Sequence, residues 1–210
     1  MARNPWRFQH GFAPRVAPSP TALGDLRALE YSRRVPRSGD RYVMPEGLGE
    51  YLVLRSHEET GGEYVEMQWM LPPGAFAPPR HRHPSQVEEY EVLDGTLEVM
   101  VDGSWRTLNA GESASVPVNS DHTFRVPANG GPVRVHNFHR PGGRFDEFIE
   151  KQHRFATSER FKGIKHPSTA IGIAMVWREH TDLIVPTQLP VRLAMAGLAR
   201  AGPPLGYSTT

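Results

Sequence analysis

His81 and His83 stand two residues apart, and Glu88 follows them after Pro84, Ser85, Gln86 and Val87. In an extended strand, side chains two apart leave by the same face, so both imidazoles point one way. A hairpin-like return carries Glu88, at the head of the next strand, back toward them. His122 opens a further strand downstream of Gly111 and Pro117, and its neighbours of equal parity, Phe124 and Val126, are the apolar residues expected to face a core. Three imidazoles and one carboxylate suit a borderline divalent ion such as iron, nickel, manganese, copper or zinc. Neutral imidazoles hold such an ion without quenching its charge, and the carboxylate lowers the net charge of the site. A remaining open position admits a substrate oxygen to be polarised, or dioxygen.

These groups must be carried by strands. Between Arg41 and His139 apolar residues recur at period two in the runs 50–55, 63–71, 88–93, 96–101, 105–108, 113–116, 122–126 and 133–138. The breaks between them hold Gly61-Gly62, Pro72-Pro73-Gly74, Asp94-Gly95, Asp102-Gly103 and Asn129-Gly130-Gly131, all suited to tight turns. About eight short strands in so little chain predict a closed β-barrel of jelly-roll type, because closure removes exposed edges and leaves an interior for a ligand. The period then lengthens to that of helices over 144–154, 168–177 and 190–200, with Ser168 expected to cap the second. The closing helices either cover the barrel, lid its mouth or complete a dimer interface. Residues 1–40 form a proline-rich arm with a candidate short helix over 22–31, residues 41–140 the metal-binding domain, and residues 141–210 the helical extension.

Parity also chooses between neighbours. Glu88, Tyr90 and Val92 share one side of their strand while Glu89 and Glu91 share the other, so Glu88 is the expected ligand. Tyr90 then lies beside it, as a proton donor to substrate or as packed core. His136 shares parity with Arg134 and Phe138, and is either a general base inside the barrel or a structural histidine. Met67, Trp69, Phe76 and Phe124 are candidates for an apolar pocket lining, and Arg125 and Arg80 for holding a substrate carboxylate.

With those residues in place, the chain resembles the cupin superfamily. That family's first motif (Gly, five or six residues, His-x-His, three or four residues, Glu, six residues, Gly) is matched at Gly74, His81, His83, Glu88 and Gly95. Its second motif corresponds to Gly111, Pro117 and His122, with Asn119 where the pattern has Gly and Val126 where it has Asn. Asn tolerates the left-handed backbone that Gly supplies, and all four metal-binding positions are intact. The resemblance spans about 64–138 and implies an all-β, cupin-type jelly-roll barrel, commonly dimeric, with iron or manganese most frequent in catalytic members. Fe(II) is therefore the favoured ion, with Mn, Ni, Zn or Cu as alternatives. Fold membership leaves the reaction open. An apolar inner wall disfavours a sugar and points to dioxygenase-like oxidation of an aromatic or enolic small molecule; a metal-assisted isomerase or cyclase, or a non-catalytic binding protein, are the alternatives.

Composition narrows the setting. The 210 residues carry 24 Lys+Arg against 23 Asp+Glu, a net charge of +1 that offers no broad attraction to nucleic acid or anionic lipid. Cys is absent, which excludes disulfides, thiolate catalysis and cysteine-ligated metals. Neither a signal peptide nor a membrane-spanning run is legible, so a cytoplasmic homodimer acting on a small molecule is the expectation.

Overall fold

Alternating burial defines the long strands. In Val65–Leu71 the buried side chains are Val65, Met67, Trp69 and Leu71; in Val133–Arg140 they are Val133, Val135, Asn137 and His139. The structure is a computed structural model that describes residues 35–45 and 47–208; the expected arm and 22–31 helix fall on residues outside these. In chain order the strands are β1 (Arg41–Val43), β2 (Glu50–Arg55), β3 (Val65–Leu71), β4 (His81–Arg82), β5 (Val87–Asp94), β6 (Thr96–Val101), β7 (Ser104–Asn109), β8 (Ser113–Val116), β9 (His122–Arg125), β10 (Val133–Arg140) and β11 (Val185–Pro186). Between β10 and β11 lie helices α1 (Phe145–Ala156) and α2 (Pro167–Glu179), and α3 (Leu189–Ala201) follows β11. The strands β1, β4 and β11, of two or three residues, are too short to show a period.

The strands form two antiparallel sheets, one in the order β1-β2-β3-β10-β5-β8 and the other β11-β4-β9-β6-β7. The expected closed jelly-roll barrel is therefore corrected: two open sheets form, and among the described residues no strand pairing joins one to the other. Strands β7 and β8 are consecutive in the chain, yet each ends a different sheet. At the other end, β4 contributes a single register pair to β9, His81 opposite His122, before the chain leaves extended pairing. Helices add their apolar residues to the core that the sheets share. Phe145, Phe148 and Ile149 of α1, Val176 and Trp177 of α2, and Leu183 and Ile184 join one core with Trp69, Tyr90 and Val92 of the first sheet and Leu97, Val99 and Phe124 of the second. Each such buried Phe or Ile side chain contributes about 1.5–3 kcal/mol, enough for a few of them to hold the helices against this core.

Two turns bear on the site. Gly95 joins β5 to β6 at φ 81, and a Cβ there would lie 2.5 Å from the Pro132 carbonyl oxygen, so the turn accepts only glycine. Asn119 adopts φ 65, the left-handed conformation that the motif assigns to glycine, and its N–H donates to the His83 carbonyl at 2.9 Å. The α2 cap also differs from expectation. His166 is the N-cap, its ring accepting the Ser168 N–H, and Pro167 takes the first helical position, where a missing N–H costs nothing. Among the described residues no helix is long and apolar enough to cross a membrane.

Candidate metal centre

The pairing of β4 with β9 sets His81 against His122, with ring centroids 4.1 Å apart. His83, just past β4, places its ring 5.0 Å from that of His122. Glu88 reaches the same point from β5 in the other sheet. One ligand atom from each of the four residues lies within 4.8 Å of all the others, and all four side chains are buried. Glu89 and Glu91 turn away from them, Glu89 pairing with Arg140 and Glu91 with His136.

Each imidazole is pinned by a main-chain carbonyl. Nδ1 of His81 donates to Pro79 O at 2.9 Å, Nδ1 of His83 to Leu183 O at 2.6 Å, and Nδ1 of His122 to Ser120 O at 3.0 Å. A carbonyl oxygen can only accept, so the proton of each neutral ring sits on Nδ1 and the Nε2 lone pair faces the cluster. The carbonyl that orients His83 comes from the segment leading into β11, which pairs with β4 through Pro186 opposite His81. Thr187 reinforces the junction, its N–H donating to Arg80 O and its hydroxyl to Asp121.

Charge follows from these surroundings. Burial, then the neighbouring imidazoles of His122 and His83, hold His81 well below the usual histidine range. Burial opposes ionisation of Glu88, but the imidazoles of His139, His122 and His83 outweigh it and keep the carboxyl well below its usual range. For His122 burial disfavours the proton and the adjacent Glu88 outweighs it, raising the pKa. The centre thus calls for positive charge beside an ionised carboxylate. Nε2 of His83, Nε2 of His122 and Oε2 of Glu88 make no hydrogen bond, although Oε2 stands 2.9 Å from the second and 3.4 Å from the first. Buried acceptors crowded in this way fit a divalent cation among them, and the donor set of three imidazoles and a carboxylate can bind one.

A cavity of about 140 Å³ opens onto His81, His83 and Glu88. Trp69, Phe76, Tyr90 and Phe124 line it from the sheet side, and Phe145, Phe148, Trp177 and Ile184 from the helical side. Phe76 sits at the rim, 55% exposed. The Tyr90 hydroxyl makes no hydrogen bond, and burial followed by the charge of Glu88 raises its pKa well above the phenol range.

Four residues expected at the pocket lie away from the cavity. Met67 is fully buried core and does not line the cavity. Arg125 points outward, its guanidinium 4.2 Å over the Trp105 ring and paired with Glu98; Arg80 is likewise external, paired with Asp121. His136 lies on the outer face of β10, 2.7 Å from Glu66, so it does not reach the cavity as a general base. Its strand neighbour His139 is the one that faces inward. It is fully buried, stacked on Phe145 at 3.4 Å, and held well below the usual histidine range by burial against the opposing pull of Glu88. A signal for His139 was present, since it shares parity with Val133 and Val135. Helical cover was one of three readings open to the closing helices, and the Leu183 carbonyl carried no signal.

Residues 67–139 match a family model described as a cupin domain, a span that includes all four clustered residues. A stretch of 66 residues is 38% identical to the HTH-type transcriptional regulator SutR of Escherichia coli (strain K12), covering 31% of this chain and 35% of that protein. A stretch of 102 residues is 28% identical to quercetin 2,3-dioxygenase of Bacillus subtilis (strain 168), covering 45% of this chain and 30% of that one. The chain thus spans about a third of the length of these curated relatives. Among solved structures, KdgF from Halomonas sp. aligns over 50% of this chain and 91% of its own, at 18% identity and a TM-score of 0.43.

Proposed function

We propose that this chain, whose residues 67–139 form a cupin domain, is a metal-dependent enzyme carrying out dioxygenase-like oxidation of a small aromatic or enolic metabolite, with Fe(II) as its ion. The observation that carries this reading is that the cluster of three imidazoles and one carboxylate opens, through His81, His83 and Glu88, into a cavity with aromatic walls. Among the described lining residues none is Lys or Arg, which favours an uncharged substrate whose only polar anchor is its own oxygen. An ion held by the cluster supplies Lewis acidity and, as iron, one-electron chemistry with dioxygen. The chain itself does the rest: Trp69, Phe124, Phe148 and Trp177 hold a flat substrate and exclude water, while the pinned imidazoles keep their lone pairs aimed without reorganisation. In such an oxidation both oxygen atoms of dioxygen enter the substrate, which supplies the electrons, so no further reductant is needed. We assign residues 41–140 as the metal-binding unit and 141–210 as the extension that walls it, in a cytoplasmic homodimer for which exposed Leu189, Leu193 and Leu205 supply apolar surface.

Metal-assisted isomerisation or cyclisation is the second reading, favoured by Tyr90. Its hydroxyl lines the cavity without a hydrogen-bond partner and can donate one to a substrate oxygen there. Untagged protein loaded anaerobically with Fe(II), mixed with diketones or catechols and then given oxygen, separates the readings. Substrate-dependent oxygen uptake, lost in a folded His83→Ala variant, is the expected result. Product without oxygen uptake selects the isomerase. Ion binding without turnover of any candidate selects a binding protein, and failure of reconstituted protein to bind a divalent ion ends both enzymatic readings.

A further inference from the structure

The ladder between β5 and β10 sets His139 opposite Glu88 and Asn137 opposite Tyr90. Both β10 side chains are fully buried and both turn toward the carboxylate. Asn137 Nδ2 donates to Glu88 Oε1 at 3.0 Å, and His139 Nε2 stands 3.5 Å from the same oxygen, just beyond hydrogen-bond length. The other carboxylate oxygen, Oε2, faces His122 and His83. Neither ring nitrogen of His139 makes a hydrogen bond, and its ring is held by stacking on Phe145. A buried imidazole without partners is costly unless it serves a group nearby, and Glu88 is the group within reach.

We infer that Asn137 and His139 are positioning residues that divide the Glu88 carboxylate, reserving Oε1 for the protein so that Oε2 alone is presented to the ion. The division has a chemical consequence. A carboxylate held by one oxygen occupies one coordination position instead of two, so three imidazoles and one oxygen leave room for a substrate oxygen and a second small ligand. A free carboxylate would be able to swing and chelate through both oxygens, closing one of those positions. Outer partners of this kind orient the ligand that touches the metal, and their loss typically weakens binding about 10–100-fold. The inference rests on the metal centre but not on the reaction carried out there.

The test is anaerobic titration of apo protein with Co(II), following both affinity and the visible absorption band, which reports coordination number. Asn137→Leu removes the donor at nearly constant volume, and His139→Phe preserves the stacking on Phe145 while removing the ring nitrogens. Each is expected to weaken Co(II) binding about 10–100-fold and to shift the visible band, as the freed carboxylate exchanges one small ligand for its own second oxygen. His139→Gln, which restores an N–H donor, should recover most of the wild-type band. Melting of the apo proteins checks the fold, and should one variant fail to fold the other decides the matter. Wild-type affinity and an unchanged band in a folded Asn137→Leu or His139→Phe protein would overturn the inference while leaving the metal centre intact. Absence of Co(II) binding by wild type would overturn the metal centre, and the inference with it.

Discussion

The two sheets bring different chemistry to the same gap, and they hold it by different means. The five-stranded sheet supplies imidazoles, and His81 and His122 are each fixed by a carbonyl two residues back in their own chain. The six-stranded sheet supplies the carboxylate, fixed by side chains of a neighbouring strand that stand 49 residues or more from it in sequence. His83 is intermediate, held by a carbonyl 100 residues away in the helical extension. Locally pinned ligands depend on backbone that no side-chain substitution removes. The carboxylate depends on side chains, so its geometry is the part of the centre that substitution can retune.

The sharpest way to break this contrast is to remove an imidazole. His122→Ala takes away a ligand that no neighbour on β9 can replace, and Co(II) affinity is expected to fall by more than the roughly 100-fold ceiling for outer partners; a loss of tenfold or less in calorimetric titration would mean the four residues do not act as one site. A smaller effect, on stability, tests the helical wall against both sheets. Trp177 is buried beside His81, with rings 5.8 Å apart, and Trp177→Ala should cost about 3–5 kcal/mol in urea unfolding while the folded fraction keeps its metal affinity within a few-fold. If affinity collapses as well, the helices hold the imidazoles and do not merely wall the cavity. The smallest effects belong to the outer faces. His136→Ala and Arg125→Ala each remove a partly exposed polar contact to a carboxylate, worth about 1 kcal/mol or less, and neither should alter Co(II) binding. A metal defect in His136→Ala would show that β10 does not segregate its two histidines as described.

Much of the centre was legible because its spacing is local. His81, His83 and Glu88 sit within one strand-turn-strand, where a period of two decides direction, and the same period separates Glu88 from Glu89. Asn119 illustrates a departure from a motif that the backbone absorbs, since its left-handed φ is the one a glycine would take. The period misleads at β10. Phe138 suggests that its parity faces the core, yet that ring lies partly buried on the outer face, against Tyr64 and beneath the Arg140 guanidinium. An aromatic residue sheltered by neighbouring side chains on an outer face looks the same in sequence as one in the core, which is why shared parity with Phe138 makes His136 a candidate for the interior.

Closure of the sheets was not legible either. Strand periodicity says which face of each strand is buried, and says nothing of whether the last strand of one sheet meets the first of the other. Here β7 and β8 end different sheets, and the helices join the shared core through Phe148, Trp177 and Ile184, packed with residues distant in the chain. The sequence by itself determined the four candidate ligands, the side of the strand on which each stands and the positions of most strands and helices, because all of these follow from spacings of a few residues. Only the tertiary structure decided which carbonyl orients His83, which β10 histidine faces Glu88 and what walls the cavity, because each depends on contacts between segments tens of residues apart whose approach no local period encodes.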